Sequence, residues 1–179
     1  NSFLQLFDTE EESKSSVSEV RLRISKGSLE KMVSNLPHSA KNKYYKAELL
    51  YPDNSWKKIK YRLRGRNIWH WDKNKPSLRL KMPKNRLYDN QRNINLINPE
   101  DRSMVVNILG EKIASSMGVL THITSYKKLF VDNQYFGVYH QTTNDDEGML
   151  RLNHRIPGPI YVGDELEKIW DIKGFKVKG

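Results

Sequence analysis

Cations at alternate positions on two neighbouring runs are the residues of this chain best suited to chemistry. In Tyr61-Arg62-Leu63-Arg64-Gly65 the arginines alternate with Tyr61 and Leu63, a period of two that predicts a strand with one basic face. Gly65 then lets the backbone turn, or approach another group closely, without a Cβ in the way. A loop holding Trp69, His70 and Trp71 leads to Lys75-Pro76 and a second run, in which Leu78, Leu80 and Met82 alternate with Ser77, Arg79 and Lys81. Two strands with cations on one side, joined by an aromatic loop, suit an anionic ligand that carries rings. A nucleoside triphosphate meets that description. So does a nucleic acid, whose bases Trp69 and Trp71 would stack upon. Each group also has an ordinary reading: the cations as solvated strand residues, the Trp-His-Trp group as folded into its own domain.

The whole composition points the same way. Thirty-one Lys and Arg stand against 21 Asp and Glu, a net charge of +10 over 179 residues. That favours phosphate, nucleic acid, acidic glycan or an anionic membrane surface as partner, or else a basic surface with none. Four Trp, nine Tyr and five Phe argue for an ordered core. No cysteine is present, which excludes disulfides and thiolate metal sites. No apolar run approaches the roughly 18 residues of a membrane-spanning helix. The start, NSFLQLFD, shows no secretory pattern and reads as the middle of something longer. There is no Walker-type phosphate loop and no persuasive Ser/His/Asp order, and His38, His122 and His154 lack ligand spacing. Asp145, Asp146 and Glu147 cannot all face one ion from a regular element; a helix N-terminus accounts for them.

The elements that position these residues follow from periodicity and turn chemistry. Residues 8–19 are acidic and serine-rich and are expected to be mobile. Val20, Leu22 and Ile24 alternate with Arg21 and Arg23 as a first strand; Ser28 starts a short helix with the stripe Leu29, Met32, Val33, Leu36. Pro52-Asp53-Asn54-Ser55 separates strands at 44–51 and 56–64 as a hairpin turn, and 93–97 is another short strand. A helix from 101 or 103 to about Met117 carries Val105, Leu109, Ile113 and Met117 on one stripe, with Gly118 beyond its end. Strands at 123–131 and 135–141 flank Asp132-Asn133-Gln134, a second hairpin, before a short helix at 147–152. The expected class is α+β: a mainly antiparallel sheet with one long helix beside it.

Four runs in order, RLRGRNIW, KPSLRLK, the helix ending in IASSMG, and DNQYFGVYHQTT, resemble the CotH family of spore-coat-type atypical protein kinases over about residues 20–165. Arg66 intervenes before Asn67, and Thr143 stands where that family has a glutamate. The resemblance implies a kinase N-lobe side, ATP and Mg²⁺ as cofactors, a protein hydroxyl as phosphate acceptor, and a cell-surface, secreted or spore-coat location. It implies phosphate-binding cations, for which Arg79 leads, then Lys81, Lys75 and Arg64. It implies an acid, Glu111, on the long helix, by analogy with the helix glutamate of kinases. It implies an adenine slot lined by Leu63, Leu80 and Tyr139, with backbone at 140–143 as hinge. The family's catalytic base and metal-ligand carboxylates have no counterpart here, so residues 166–179 read as the start of a region whose remainder is absent, and the chain is expected to have little activity alone. The alternative is a non-catalytic basic module for nucleic acid or acidic glycan.

Overall fold

Strand alternation sorts most of this chain into an inner and an outer face, and the strand pairings show how those faces close. The structure is a computed structural model describing residues 17–25, 27–34, 36, 43–65, 68–72, 74–99, 105–162 and 176–178. Its elements are β1 (Glu19–Ile24), α1 (Ser28–Ser34), β2 (Tyr45–Leu50), β3 (Trp56–Leu63), a 3₁₀ turn (Ile68–Trp71), β4 (Leu78–Lys81) and β5 (Asn93–Ile97). Then follow α2 (Val106–Ser116), β6 (Thr124–Val131), β7 (Gln134–Thr143), α3 (Glu147–Leu152), β8 (Ile160–Val162) and β9 (Lys176–Lys178). Strands β1-β2-β3-β4-β5-β7-β6 form a closed seven-stranded barrel; β8 and β9 make a separate two-stranded sheet.

The closure overturns the expected α+β sheet with a long packed helix. β1 pairs with β2 antiparallel on one side and with β6 in parallel on the other, Glu19 to Leu22 facing Lys128 to Val131. A closed barrel leaves no sheet edge for a helix or ligand to cover. The helix also differs. α2 has 11 residues and buries none of them, and Leu109, Ile113 and Met117 are 55%, 52% and 74% exposed. A 3.6-residue stripe reveals a helix, but not whether its apolar face is covered. Residues 1–16, 100–104 and 163–175, which include 8–16 of the acidic segment, the expected start of this helix, Trp170 and Phe175, lie outside the described residues, while Glu19, at the segment's end, opens β1.

Both hairpins form as their turn residues dictate. Asp53 Oδ1 accepts from the Ser55 N–H at 3.0 Å, and Asn54 takes a φ of +59°. Asp132 and Asn133 both have positive φ, the two-residue turn whose twist suits paired strands. Asp132 does more: its Oδ1 accepts from Ile24 N–H at 3.1 Å and its own N–H donates to the Leu22 carbonyl. The β6–β7 turn is thereby tied to the end of β1, where the barrel closes.

Inside, Val20, Leu22, Leu49, Ile59, Tyr61, Leu63, Leu78, Leu80, Ile94, Leu96, Leu129 and Tyr139 pack as one buried cluster. α1 adds Met32, wholly buried, and Ser28 Oγ lies 2.6 Å from the Tyr61 hydroxyl. The outer face keeps the cations.

Candidate functional site

Burial of arginine is costly, so the half-buried guanidiniums mark where this fold does something other than pack. Arg62 on β3 faces Arg79 on β4, which faces Asn95 on β5, which faces Thr142 on β7. Arg64 follows β3, its N–H held by the Ser77 carbonyl at 2.8 Å. Arg79 Nε donates to Asn95 Oδ1 at 2.7 Å, and Asn95 Nδ2 donates to the Thr143 carbonyl. That network fixes the row across three strands.

Arg64 is withdrawn from water beside like charges. Burial, then the Arg79 charge, push its pKa down to about 10; Asp145 acts against them and Arg62 with them. Its Nε is buried without a hydrogen-bond acceptor among the described residues. Arg79 is also lowered, first by burial and then by Arg62, with Tyr44, Asp145 and Asp146 opposing. Three guanidiniums therefore share a patch whose carboxylates are largely engaged elsewhere. Asp146 caps α3 through the Gly148 N–H and accepts from Asn93 and Asn144. Asp145 lies 3.2 Å from His122 Nε2. Glu147 pairs with Arg151.

Arg64 lines a cavity of about 500 Å³ between the barrel's outer face and α2, within the range of ligand sites. Ile97, His140 and Thr142 form the barrel wall; Val106, Asn107, Gly110, Glu111 and Ala114 form the helix wall, and His122 closes one side. Val105, at the N-cap of α2, offers no side-chain cap, and no acid occupies the first turn. Glu111 Oε2 accepts from the His122 N–H at 3.1 Å, which ties the loop after α2 to the helix.

The structure thus brings two of the sequence candidates, Arg64 and Glu111, into one cleft, without a salt bridge between them. Arg79 stands beside them. Lys81 lies instead on the outer groove of β1–β4. Lys75 bends over the end of the barrel, its Nζ 5.4 Å from the Tyr139 ring centre, and burial lowers its pKa. Leu63, Leu80 and Tyr139 are fully buried in the barrel core, and none lines the cleft. Residues 140–143 lie within β7, bonded to β5 on one side and β6 on the other, so their backbone is spent on the ladder. The Trp-His-Trp group folds inward: Trp71 packs against the core and donates Nε1–H to the Gly65 carbonyl at 3.3 Å, and the His70 carbonyl accepts from the Ser77 N–H. The Trp69 side chain lies outside the described residues. His122 and Asn107 are cleft residues that no local pattern announced, and His140 and Thr142, expected only as hinge backbone, line it with their strand because β7 lies between β5 and β6.

No group of three or more His, Asp or Glu among the described residues is placed to hold a metal ion. Asp146 caps α3, Glu147 pairs with Arg151, Asp145 lies against His122, and Glu111 on the cleft wall accepts from the His122 N–H, so this donor set does not fit Mg²⁺. Among the described residues no helix is long and apolar enough to cross a membrane.

No curated protein matches the chain. A family model described as CotH kinase protein matches residues 61–178, a span that contains every cleft residue.

Proposed function

This chain belongs to the CotH family, and on that premise we propose that the cleft between α2 and the barrel binds ATP by its phosphates, in a kinase that transfers phosphate to a protein hydroxyl. The observation that carries the reading is Arg64: a buried, half-satisfied guanidinium, already repelled by Arg79 and Arg62, on the wall of a ligand-sized cavity. A phosphate chain would supply the missing acceptor and relieve the repulsion.

Phosphoryl transfer needs positioning and charge neutralisation more than covalent help from the protein. Arg64 supplies a forked donor suited to phosphate oxygens. Ile97, Val106 and Ala114 offer apolar surface for the nucleoside, and the Thr142 hydroxyl and Asn107 amide offer hydrogen bonds. Glu111 holds the wall in place through His122 and acts as a positioning residue. The part these residues play is to bind and orient the nucleotide; charge on the phosphates is met by Arg64.

Gly110 provides the test. It faces the cleft, and a Cβ there meets nothing within 4 Å. Gly110→Leu should strengthen α2 by about 1 kcal/mol in helix propensity while filling the cavity. Loss of ATP binding with an unchanged or higher Tm supports the reading. ATP binding equal to the parent's would overturn it.

A further inference from the structure

The outer face of β1–β4 carries lysines in register rather than scattered. Lys46 on β2 faces Lys60 on β3, and Lys60 faces Lys81 on β4. Adjacent strands lie roughly 4.8 Å apart, so three like charges sit side by side, an arrangement that destabilises a sheet unless something else holds it. In the next row Arg23 faces Glu48 and Glu48 faces Lys58, which leaves one net positive charge. These residues, with Arg92, line a groove of about 870 Å³ in which Glu48 is the single carboxylate. The groove shares no lining residue with the ATP cleft.

We propose that this groove is a docking site for an extended acidic segment of a partner protein. Charge complementarity sets the sign of the ligand, and two observations narrow its class. First, the aromatic rings beside the groove are already covered by cations. Arg23 stacks on Trp56 at 3.8 Å, and Arg62 and Lys81 each approach Tyr44 at 5.4 Å. Single-stranded nucleic acid binds by stacking bases on open rings, and sugars likewise use flat aromatic faces; neither finds one here. Second, the cations are spread along a groove, rather than converging on a point as a compact phosphate requires. The lysine row crosses the strands at the ~4.8 Å strand spacing, so an acidic segment laid across β2–β4 meets Lys46, Lys60 and Lys81 in turn. Glu48, in the adjacent row between Arg23 and Lys58, would reject a carboxylate displaced onto that row.

The experiment uses the full chain and a fluorescent peptide of ten alternating Glu and Ala, titrated by anisotropy, with a single-stranded oligonucleotide and a sulfated polysaccharide as competitors. Lys46→Glu and Lys60→Glu are exposed substitutions outside the cleft. Each should weaken the peptide by roughly ten-fold, as like charge is set against its carboxylates. Lys60→Glu should also raise Tm, since it turns the lysine row into an alternating one, and this keeps a binding loss from being read as unfolding. Peptide binding unaffected by either variant, or no peptide binding at all, overturns the proposal. A competitor that binds tighter than the peptide and is lost in the same variants overturns the choice of partner.

Discussion

Gly65 sits where the Arg64 strand turns, and among the described glycines replacing it by alanine should cost the most. Its φ is +99°, and an added Cβ would stand 2.2 Å from Cδ2 and 2.5 Å from Cβ of His70. His70 cannot easily move away: its carbonyl accepts from the Ser77 N–H, and its Nδ1 lies 3.2 Å from Ser77 Oγ. Left-handed strain on alanine costs about 1–2 kcal/mol, and forcing a methyl into a packed ring adds about 1–3 kcal/mol. Gly65→Ala should therefore lose about 2–5 kcal/mol, a large share of the roughly 5–15 kcal/mol that holds a domain folded. Gly27→Ala is the control. It has a φ of +77° but nothing within 4 Å of its Cβ, so it should lose only the strain, about 1–2 kcal/mol. Urea unfolding followed by tryptophan fluorescence measures both. Equal losses would refute the close approach of Gly65 to His70, and with it the way Arg64 is aimed at the cleft.

Ser28→Ala should cost about 1–3 kcal/mol, because it strands the buried Tyr61 hydroxyl 2.6 Å away; adding Tyr61→Phe should recover most of that loss in Tm. Tyr139→Phe removes a buried hydroxyl with no hydrogen-bond partner among the described residues, so thermal unfolding should show an unchanged or higher Tm, not a lower one. Burial raises the pKa of Tyr51, Tyr61 and Tyr139 and pushes Tyr88 up to about 12. An unfolded tyrosine ionises near pH 10. The stabilisation is therefore complete below about pH 10 and is lost as pH rises through the folded values; Tm measured from pH 9 to 12 should fall over that window, and a flat profile would contradict the burial.

Much of the local structure was legible, because each element rests on neighbours in sequence. Asp53 and Asn54, and Asp132 and Asn133, specify their turns by their own side chains and positive φ. The alternation of Leu78, Leu80 and Met82 showed which side of β4 is buried. What was hidden is what depends on distant pairing. Nothing in Glu19–Leu22 shows that it will pair with Lys128–Val131, so the barrel read as an open sheet. The stripe on α2 read as a core contact because exposure leaves no mark on periodicity. Arg64 and Glu111 were visible as candidates through the family resemblance, but His122, His140 and Thr142 join them only once β5, β7 and β6 are side by side. Lys46 and Lys60 carried no signal of their own and Lys81 was read as a phosphate-binding cation; only the register aligns the three.

The cleft account is tested most directly by titrating ATP calorimetrically into the parent chain, Arg64→Met and Lys60→Glu, at low and at moderate salt. Arg64 is largely withdrawn from solvent, so its contact should be screened less than an exposed one. Binding that weakens by roughly ten-fold or more in Arg64→Met, survives in Lys60→Glu and tolerates salt is the result the account predicts. ATP held equally by Arg64→Met but lost in Lys60→Glu and in salt would contradict it, and would move the nucleotide from the cleft to the lysine groove.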